Sequence, residues 1–432
     1  MSTTAKSSIH TAASAAPGAA SCRSGADPQS LPVDAARERI LAALSPVADN
    51  QMLPLRAALG RVLAEEVLSP IDVPAHTNSA VDGYAVSAAE LPAAGTTELR
   101  VVATARAGHP VERSIGPGEC VQIMTGAPMP PGADTALMQE DVQRSGDIIV
   151  VNAGHRGGEN VRRAGEDLAA GQPAVHAGQR LMPAQLGLLA SLGRAEVRVR
   201  RRPRVAFFST GDELRSVGQP LGPGEIYDSN RYSLHGMISR LDMDILDLGV
   251  VTDHPERLRE ALRTAAREAD AIVTSGGVSV GEADYIKQIL AELGEVDFWK
   301  IAMKPGRPFA FGRVDDAWFF GLPGNPVAVM VTFYQFVQPA LERLAGRSPG
   351  APPTLQAIAA EPLRKKPGRT EFVRAVLETD ADGRRRVRPS GPQGSGILRS
   401  MSEADCFIVL GHDSGPVADG DVVEVQPFAG LV

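Results

Sequence analysis

Residues 271–290 read AIVTSGGVSVGEADYIKQIL. An apolar run, Ala271-Ile272-Val273, meets a glycine-rich loop. Ile286, Ile289, Leu290 and Leu293 then recur at helical spacing. A strand passing through glycines into a helix is where α/β proteins seat phosphates. The loop also carries Glu282 and Asp284, and carboxylates repel phosphate. Gly276 and Gly281 have the GxxxxG spacing of a P-loop, but Glu282-Ala283 stands where Lys-Ser/Thr is required. A tight turn with capping acids explains the stretch; so does an anion bridged to the acids by a divalent metal. In the second reading Gly276 and Gly277 let a ligand approach the backbone, and Ser279 offers a hydroxyl.

The alternation around this loop sets the fold. RVAFFS, MDILDLGVV, DAIVTS, DFWKIAM and AWFFGL are strand candidates between residues 204 and 322. Helices are predicted near 229–241, 255–268, 283–293 and 325–345. Strand and helix in turn argue a doubly wound, mostly parallel α/β domain, whose ligands gather at the C-terminal strand ends. FFSTGDEL (207–214) repeats the design, with Ser209 and Thr210 ahead of a glycine and the acids Asp212 and Glu213. IYDSNRY (226–232) gives Asp228 as a helix cap or a further strand-end group. In FWKIAMKPGRPFAFG (298–312), Lys300, Lys304 and Arg307 put three cations within eight residues, and Pro305-Gly306 makes a rigid turn. A solvated basic turn explains the stretch; so do lysines acting as point charges toward phosphate or another oxyanion. In FFGLPGNPVAVMVTF (319–333), Asn325 takes an N-cap position and Pro326 the first turn, so a helix end becomes an anion seat.

Outside this region the texture changes. Residues 33–45 space apolar positions like a helix, and a second helix is predicted at 54–67. Short apolar runs between Gly/Pro clusters make 67–167 β-rich. PAQLGLLASL (183–192) is helical, and 196–205 forms a basic connector. Residues 350–432 read as short strands of a β-barrel.

The 432-residue chain exceeds one ordinary core. Its net charge of -7 disfavours a nucleic-acid binder. No apolar run reaches membrane-span length. Cys22, Cys120 and Cys406 form no CxxC pair, which fits a reducing cytoplasm and disfavours a zinc site. Neither a Ser-His-Asp order nor HExxH appears. Residues 1–29, rich in Ala, Ser and Gly, are expected to be a disordered tail.

VDGYAV (81–86), IMTGAP (123–128), VRRAGEDL (161–168), STGDEL (209–214), YDSNR (227–231), TSGGVSVGEADY (274–285), KPGRPFAFG (304–312) and GLPGNP (321–326) occur in this order. Together they closely resemble the molybdenum-inserting family of bacterial MoeA and the gephyrin E domain, over about residues 30–430. The resemblance implies a Mg²⁺-dependent transferase that inserts molybdate into adenylylated molybdopterin and releases AMP. It implies a homodimer of four-domain subunits: 30–66 with 168–200, 67–167, a molybdopterin-binding α/β domain at 201–349, and a barrel at 350–432. Asp82, Thr125, Glu213, Asp253 and Asp284 match catalytic positions, with Glu213 and Asp284 as metal ligands and Asp82 and Thr125 supplied by the partner subunit. Asp167, Ser209, Thr210, Gly276, Gly277, Ser279, Lys300, Lys304, Asn325 and Ser395 match substrate contacts. Read alone, Asp253 in VTDHPERL is simply a helix cap, and Asp82 a turn. Hand-over from a molybdopterin adenylyltransferase, and onward to molybdoenzymes or a nucleotide-adding enzyme, is expected. The alternatives are an adenylyltransferase on the same α/β domain and a non-catalytic gephyrin-like scaffold.

Overall fold

A computed structural model describes residues 30–277 and 284–428, with Asp284 described by its backbone alone. The chain divides into two compact units, one of residues 30–45, 202–344 and 348–428, the other of 46–201 and 345–347.

The first unit holds a six-stranded sheet: β1 (Arg204–Thr210), β2 (Asp244–Val251), β3 (Ala271–Ser275), β4 (Gly294–Lys300), β5 (Pro308–Val314) and β6 (Ala317–Leu322), in the order β2-β1-β3-β6-β5-β4. β2, β1, β3 and β6 are parallel, and β5 and β4 add an antiparallel edge. β1 and β3 are buried on both faces, which is why they read as continuous apolar runs rather than alternating ones. Helices α1 (Ser229–Arg240), α2 (Pro255–Glu268), α3 (Asp284–Leu293) and α4 (Pro326–Thr332) link or follow the strands. Ala206, Phe208, Ile272 and Phe319 pack on Leu258 and Leu262 of α2 and on Ile286, Ile289 and Leu290 of α3. Phe207, on the opposite face of β1, meets His235 of α1 with ring centroids 6.4 Å apart. The chain leaves β1 for β2 on one side and then crosses to β3 on the other. The switch point of the sheet therefore lies between the C-terminal ends of β1 and β3.

The expected strands are present, and β5 is an addition. PFAFGRV, which follows the KPGR turn, is this strand, and Phe309 and Phe311 alternate with small residues as a strand requires. Helix 325–345 continues from α4 through a π-helical turn at Phe333–Val337 to a final segment at Gln338–Leu344. Five strands beyond it close a barrel. In ring order they are Thr370–Thr379, Arg385–Pro389, Leu355–Ala359, Val422–Pro427 and Cys406–Leu410, the last pairing back to the first. Ala357, Ala375, Val387, Ile408 and Val425 fill its interior. The helix Val33–Ala43 belongs to this unit, and its Arg37 donates to Gln335 Oε1 at 2.9 Å.

In the second unit a six-stranded sheet runs Thr135–Met138, Gly83–Val86, Glu119–Ile123, Thr96–Ala105, Ile148–Asn152, Val142–Ser145. Two expectations fail here. Residues 54–67 are not a helix: a 3₁₀ turn at Leu55–Ala58 ends before Gly60, whose φ of +76° reverses the chain. Gly60 and Leu63 then donate to the carbonyls of Leu181 and Gln179, partners distant in sequence that no local propensity reveals. Nor is 196–205 a mere connector. Glu196–Arg200 is a strand paired with Asn50–Pro54, with Val197 and Val199 inward and Glu196 and Arg198 outward. The period-2 pattern in EVRVR was the signal.

Among the described residues no helix is long and apolar enough to cross a membrane. Cys120 and Cys406 are unpaired and buried. Burial pushes the Cys120 thiol up to about 12, so it is not a reactive thiolate.

Candidate functional site

The C-terminal ends of β1, β3 and β6 meet in a web of side-chain hydrogen bonds. Ser209 Oγ donates to Asp228 Oδ1 at 3.0 Å, and the same oxygen accepts the Arg231 N–H at 3.1 Å. Asp228 is therefore both the cap of α1 and the acceptor for β1. Asn230, two residues further on, donates from Nδ2 to Ser275 Oγ at 2.8 Å and to the Gly324 carbonyl at 2.7 Å. One amide thus ties the end of β3 to the loop after β6. Thr210 Oγ1 donates to Asp253 Oδ1, and the Asp253 N–H donates to Asp212 Oδ1 at 3.2 Å. The loop after β2 is thereby fastened to the loop after β1. Asp253 is not the cap of α2: that position falls to His254, with no side-chain cap bond.

Glycine is required at the loop after β3. Gly276 has φ +93°, and a Cβ there would lie 2.5 Å from the Thr210 carbonyl oxygen. Gly277 has φ +71°, and its Cβ would strike Ile286 Cδ1 at 2.0 Å. Both positions disfavour a side chain by conformation, and at Gly276 the backbone oxygen of Thr210 excludes one by space as well. Ser279, Glu282 and the Asp284 side chain lie outside the described residues. Glu213 and Asp212 are exposed beside Gly211, whose own Cβ would meet the Glu213 carboxylate at 2.5 Å.

The cationic stretch is anchored as its Pro-Gly turn suggested. Lys300 ends β4 and is exposed. Lys304 Nζ donates to Glu371 Oε2 of the barrel at 3.2 Å. Asn325 occupies the N-cap position of α4, but its side chain makes no capping bond. The Val327 N–H instead donates to the Ser395 carbonyl at 3.0 Å. One N–H of the anion seat expected at that helix end is thus taken by a backbone carbonyl, and Ser395 reaches the first turn of α4 through it.

Sequence reasoning missed Arg374. It is fully buried within a barrel strand. Its Nη2 donates to the carbonyls of Pro392 at 2.9 Å and Gly394 at 3.2 Å, beside Ser395. Nε and Nη1 have no hydrogen-bond partner among the described residues, and burial pulls the guanidinium below its usual pKa. Its remaining N–H donors are thus buried and unmet, a cost that an anion or a water would relieve. The signal was a charge in the middle of the apolar run EFVRAVL.

Asp82 and Thr125 come together in the second unit. One Asp82 oxygen accepts the Thr125 N–H at 2.6 Å and its hydroxyl at 2.7 Å. The Thr125 N–H, and then its hydroxyl, hold the Asp82 carboxyl below the usual carboxylate range. Replacing Thr125 by Val removes the hydroxyl and keeps the N–H. The Asp82 titration followed by carboxyl NMR is expected to move upward; an unmoved midpoint would contradict the pairing. Asp167 is exposed in the same unit and donates its N–H to Val73 O at 3.0 Å.

Among the described residues no three Asp, Glu, His or Cys side chains converge as a ready cage for a metal. The donors at the strand ends are all oxygens. That suits Mg²⁺, which binds through one or two carboxylates with phosphates and waters completing its shell.

Comparison with known proteins bears on this arrangement. Residues 31–193 match the model of the MoeA N-terminal region (domains I and II), 206–343 that of a probable molybdopterin binding domain, and 356–428 that of the MoeA C-terminal region (domain IV). The molybdopterin molybdenumtransferase of Haemophilus influenzae is 42% identical over 404 residues, covering 93% of this chain and 100% of that one. The chain belongs to the MoeA family. The molybdopterin molybdenumtransferase of Nostoc sp. is 36% identical over 84% of this chain and 86% of its own length. Two crystal structures of the MoeA molybdopterin biosynthesis protein from Pyrococcus horikoshii share the fold, each over 92% of this chain. One has a TM-score of 0.77 at 33% identity over 99% of its own chain, the other 0.80 at 29% over 100%. The MoeA family accounts for a mixed α/β domain, a β-rich domain and a closed barrel in one chain.

Proposed function

We propose that this chain is a molybdopterin molybdenumtransferase: it inserts molybdate into the dithiolene of adenylylated molybdopterin and releases AMP. The observation that carries the reading is the cross-tied web at the switch point of an α/β sheet, in a chain alike over 93% of its length to a molybdenumtransferase. The hydroxyls of Ser209, Thr210 and Ser275 already have carboxylate or amide partners, so the loops need little reordering when substrate binds. Gly276 and Gly277 let a phosphate or the pterin approach the backbone. Lys300 and Lys304 supply positive charge to the diphosphate or to molybdate, and the buried Arg374 adds positive charge beside Ser395. Thr210 holds the Asp253 carboxylate, which is exposed at the strand end and placed to orient an incoming oxygen. The diphosphate P–O bond breaks, AMP leaves, and an oxygen of water or molybdate takes its place on phosphorus.

Glu213 and Asp284 are the residues that would hold Mg²⁺. The ion would neutralise diphosphate charge, which resolves the conflict between acids and phosphate in TSGGVSVGEAD. Asp82 and Thr125 are assigned to the same chemistry from a second copy in a homodimer, and Asp167, Ser279 and Asn325 to substrate contact. The domain divisions at 66/67, 167/168, 200/201 and 349/350 belong to this reading. So do a cytoplasmic setting and hand-over between the adenylyltransferase and molybdoenzymes.

Reconstitution of a cofactor-free molybdoenzyme tests the reading. Protein, adenylylated molybdopterin, molybdate and Mg²⁺ together are expected to restore its activity. Chelation by EDTA should abolish the effect and added Mg²⁺ should restore it. No activity above the control without this protein would overturn the assignment. ATP consumption on unadenylylated molybdopterin would assign the adenylyltransferase reaction instead.

A further inference from the structure

Glu371 is a buried carboxylate with no part in the chemistry at the strand ends. The residue is 5% exposed, and it takes two cations. Oε2 accepts from Lys304 Nζ at 3.2 Å, and Oε1 accepts from Arg369 Nε at 3.0 Å. Strand pairing sets this up: Met303 lies opposite Thr370 and Lys304 opposite Glu371, in parallel register. The Thr370 N–H donates to the Ala302 carbonyl at 2.8 Å. On the other side of Lys304, Gly306 has φ +95°, and a Cβ there would meet Thr332 Cγ2 at 2.5 Å. The backbone that presents Lys304 is therefore pinned at both ends, and only the lysine side chain is left to be ordered.

A free lysine loses rotamer freedom when it grips an anion. Glu371 imposes that order beforehand, using one of the three ammonium donors and leaving two. Alone, the carboxylate would cancel the lysine charge. Arg369 prevents this: two cations on one anion leave a net positive charge. Lys365 reinforces the sign from nearby, its Nζ donating to the Lys366 carbonyl at 2.7 Å and the Ser414 carbonyl at 3.4 Å. The Lys304 side chain remains 48% exposed, so its other donors can reach a ligand.

We propose that Glu371 is a positioning residue: it aims the Lys304 ammonium at a tetrahedral oxyanion, with Arg369 offsetting the carboxylate's own charge. This rests on Lys304 being an oxyanion contact of the molybdenum-insertion site. The oxyanion is molybdate or a phosphate of the nucleotide substrate, and the test separates the two.

Glu371→Gln, Glu371→Asp, Lys304→Gln and the Glu371→Gln/Lys304→Gln double variant are compared with wild type. The readouts are kcat, the KM for molybdate, the KM for adenylylated molybdopterin, and thermal melting. Glu371→Gln confronts one of its two cations with an amide N–H. It is expected to raise one KM about tenfold, an amount set by the rotamer freedom of one lysine, with kcat within about threefold. A rise in the molybdate KM places Lys304 on molybdate; a rise in the other places it on the diphosphate. Glu371→Asp should fall between Glu371→Gln and wild type. The double variant should be no worse than Lys304→Gln alone, because Glu371 acts only through that lysine. Unmoved KM values, additive losses in the double variant, or kcat and melting temperature falling together would overturn the proposal. Were Glu371→Gln to lose its melting transition, Glu371→Asp against Lys304→Gln would carry the same cycle. Absence of AMP release by wild type would instead refute the proposed function. Equilibrium dialysis with molybdate alone, and separately with inorganic phosphate, would then decide the matter: about tenfold weaker retention of either by Glu371→Gln supports positioning, and equal retention of both overturns it.

Discussion

Asp253→Asn is expected to lower AMP release about a thousandfold and to leave the fold in place. The side chain is exposed at the end of β2, and it accepts from Thr210 Oγ1 through one oxygen. An asparagine Oδ1 can accept the same bond, and the Asp253 backbone N–H keeps its bond to Asp212. The unfolding free energy should therefore change by no more than about 0.5 kcal/mol, as for other exposed, volume-conserving substitutions. What disappears is the negative charge at the strand ends. Single-turnover AMP release and urea denaturation measure the two quantities side by side. Turnover within threefold of wild type would mean that Asp253 only fastens the loop after β2 to β1.

Gly276→Ala is expected to damage both stability and activity. Its φ of +93° costs an L-residue about 1–2 kcal/mol. Its Cβ would also lie 2.5 Å from the Thr210 carbonyl oxygen, a backbone atom at the end of β1 with nowhere easy to go. Forced overpacking of this kind adds about 1–3 kcal/mol. Together these predict a loss of roughly 2–5 kcal/mol in unfolding free energy. Displacing Thr210 also moves the hydroxyl that holds Asp253, so AMP release should fall at least a hundredfold in the molecules that remain folded. Unfolding within about 0.5 kcal/mol of wild type, with full turnover, would show that the loop does not seat against Thr210.

The α/β domain was legible in the sequence because its central strands are buried on both faces. Ala271-Ile272-Val273 and Val205-Ala206-Phe207-Phe208 are uninterrupted apolar runs, each followed by a glycine turn and a helix of regular period. The site was legible as chemistry and not as connectivity. Glycine, hydroxyl and acid at two strand ends pointed to an anion with a metal, but nothing local indicates that Asn230 joins Ser275 to Gly324, 45 and 94 residues away. Asp253 looked like a cap because an acid ahead of Pro255 usually is one. Its actual partner, Thr210, is 43 residues distant. Asn325 shows the converse: the position is an N-cap, but a carbonyl from the barrel loop takes the N–H that a capping side chain would have bonded. Residues 54–67 failed for the same reason, since Gly60 turns the chain toward partners at 179–181. Arg374 and Glu371 went unread because a charge inside a strand is informative only once its burial is known.

The most direct test is the stoichiometry of one turnover. Purified protein is loaded with adenylylated molybdopterin and Mg²⁺, molybdate is added, and AMP and dithiolene-bound molybdenum are counted in the same sample. One AMP is expected for each molybdenum inserted, with both absent when the protein is omitted. Molybdenum inserted with adenylylated molybdopterin left intact, or neither product formed, would contradict it.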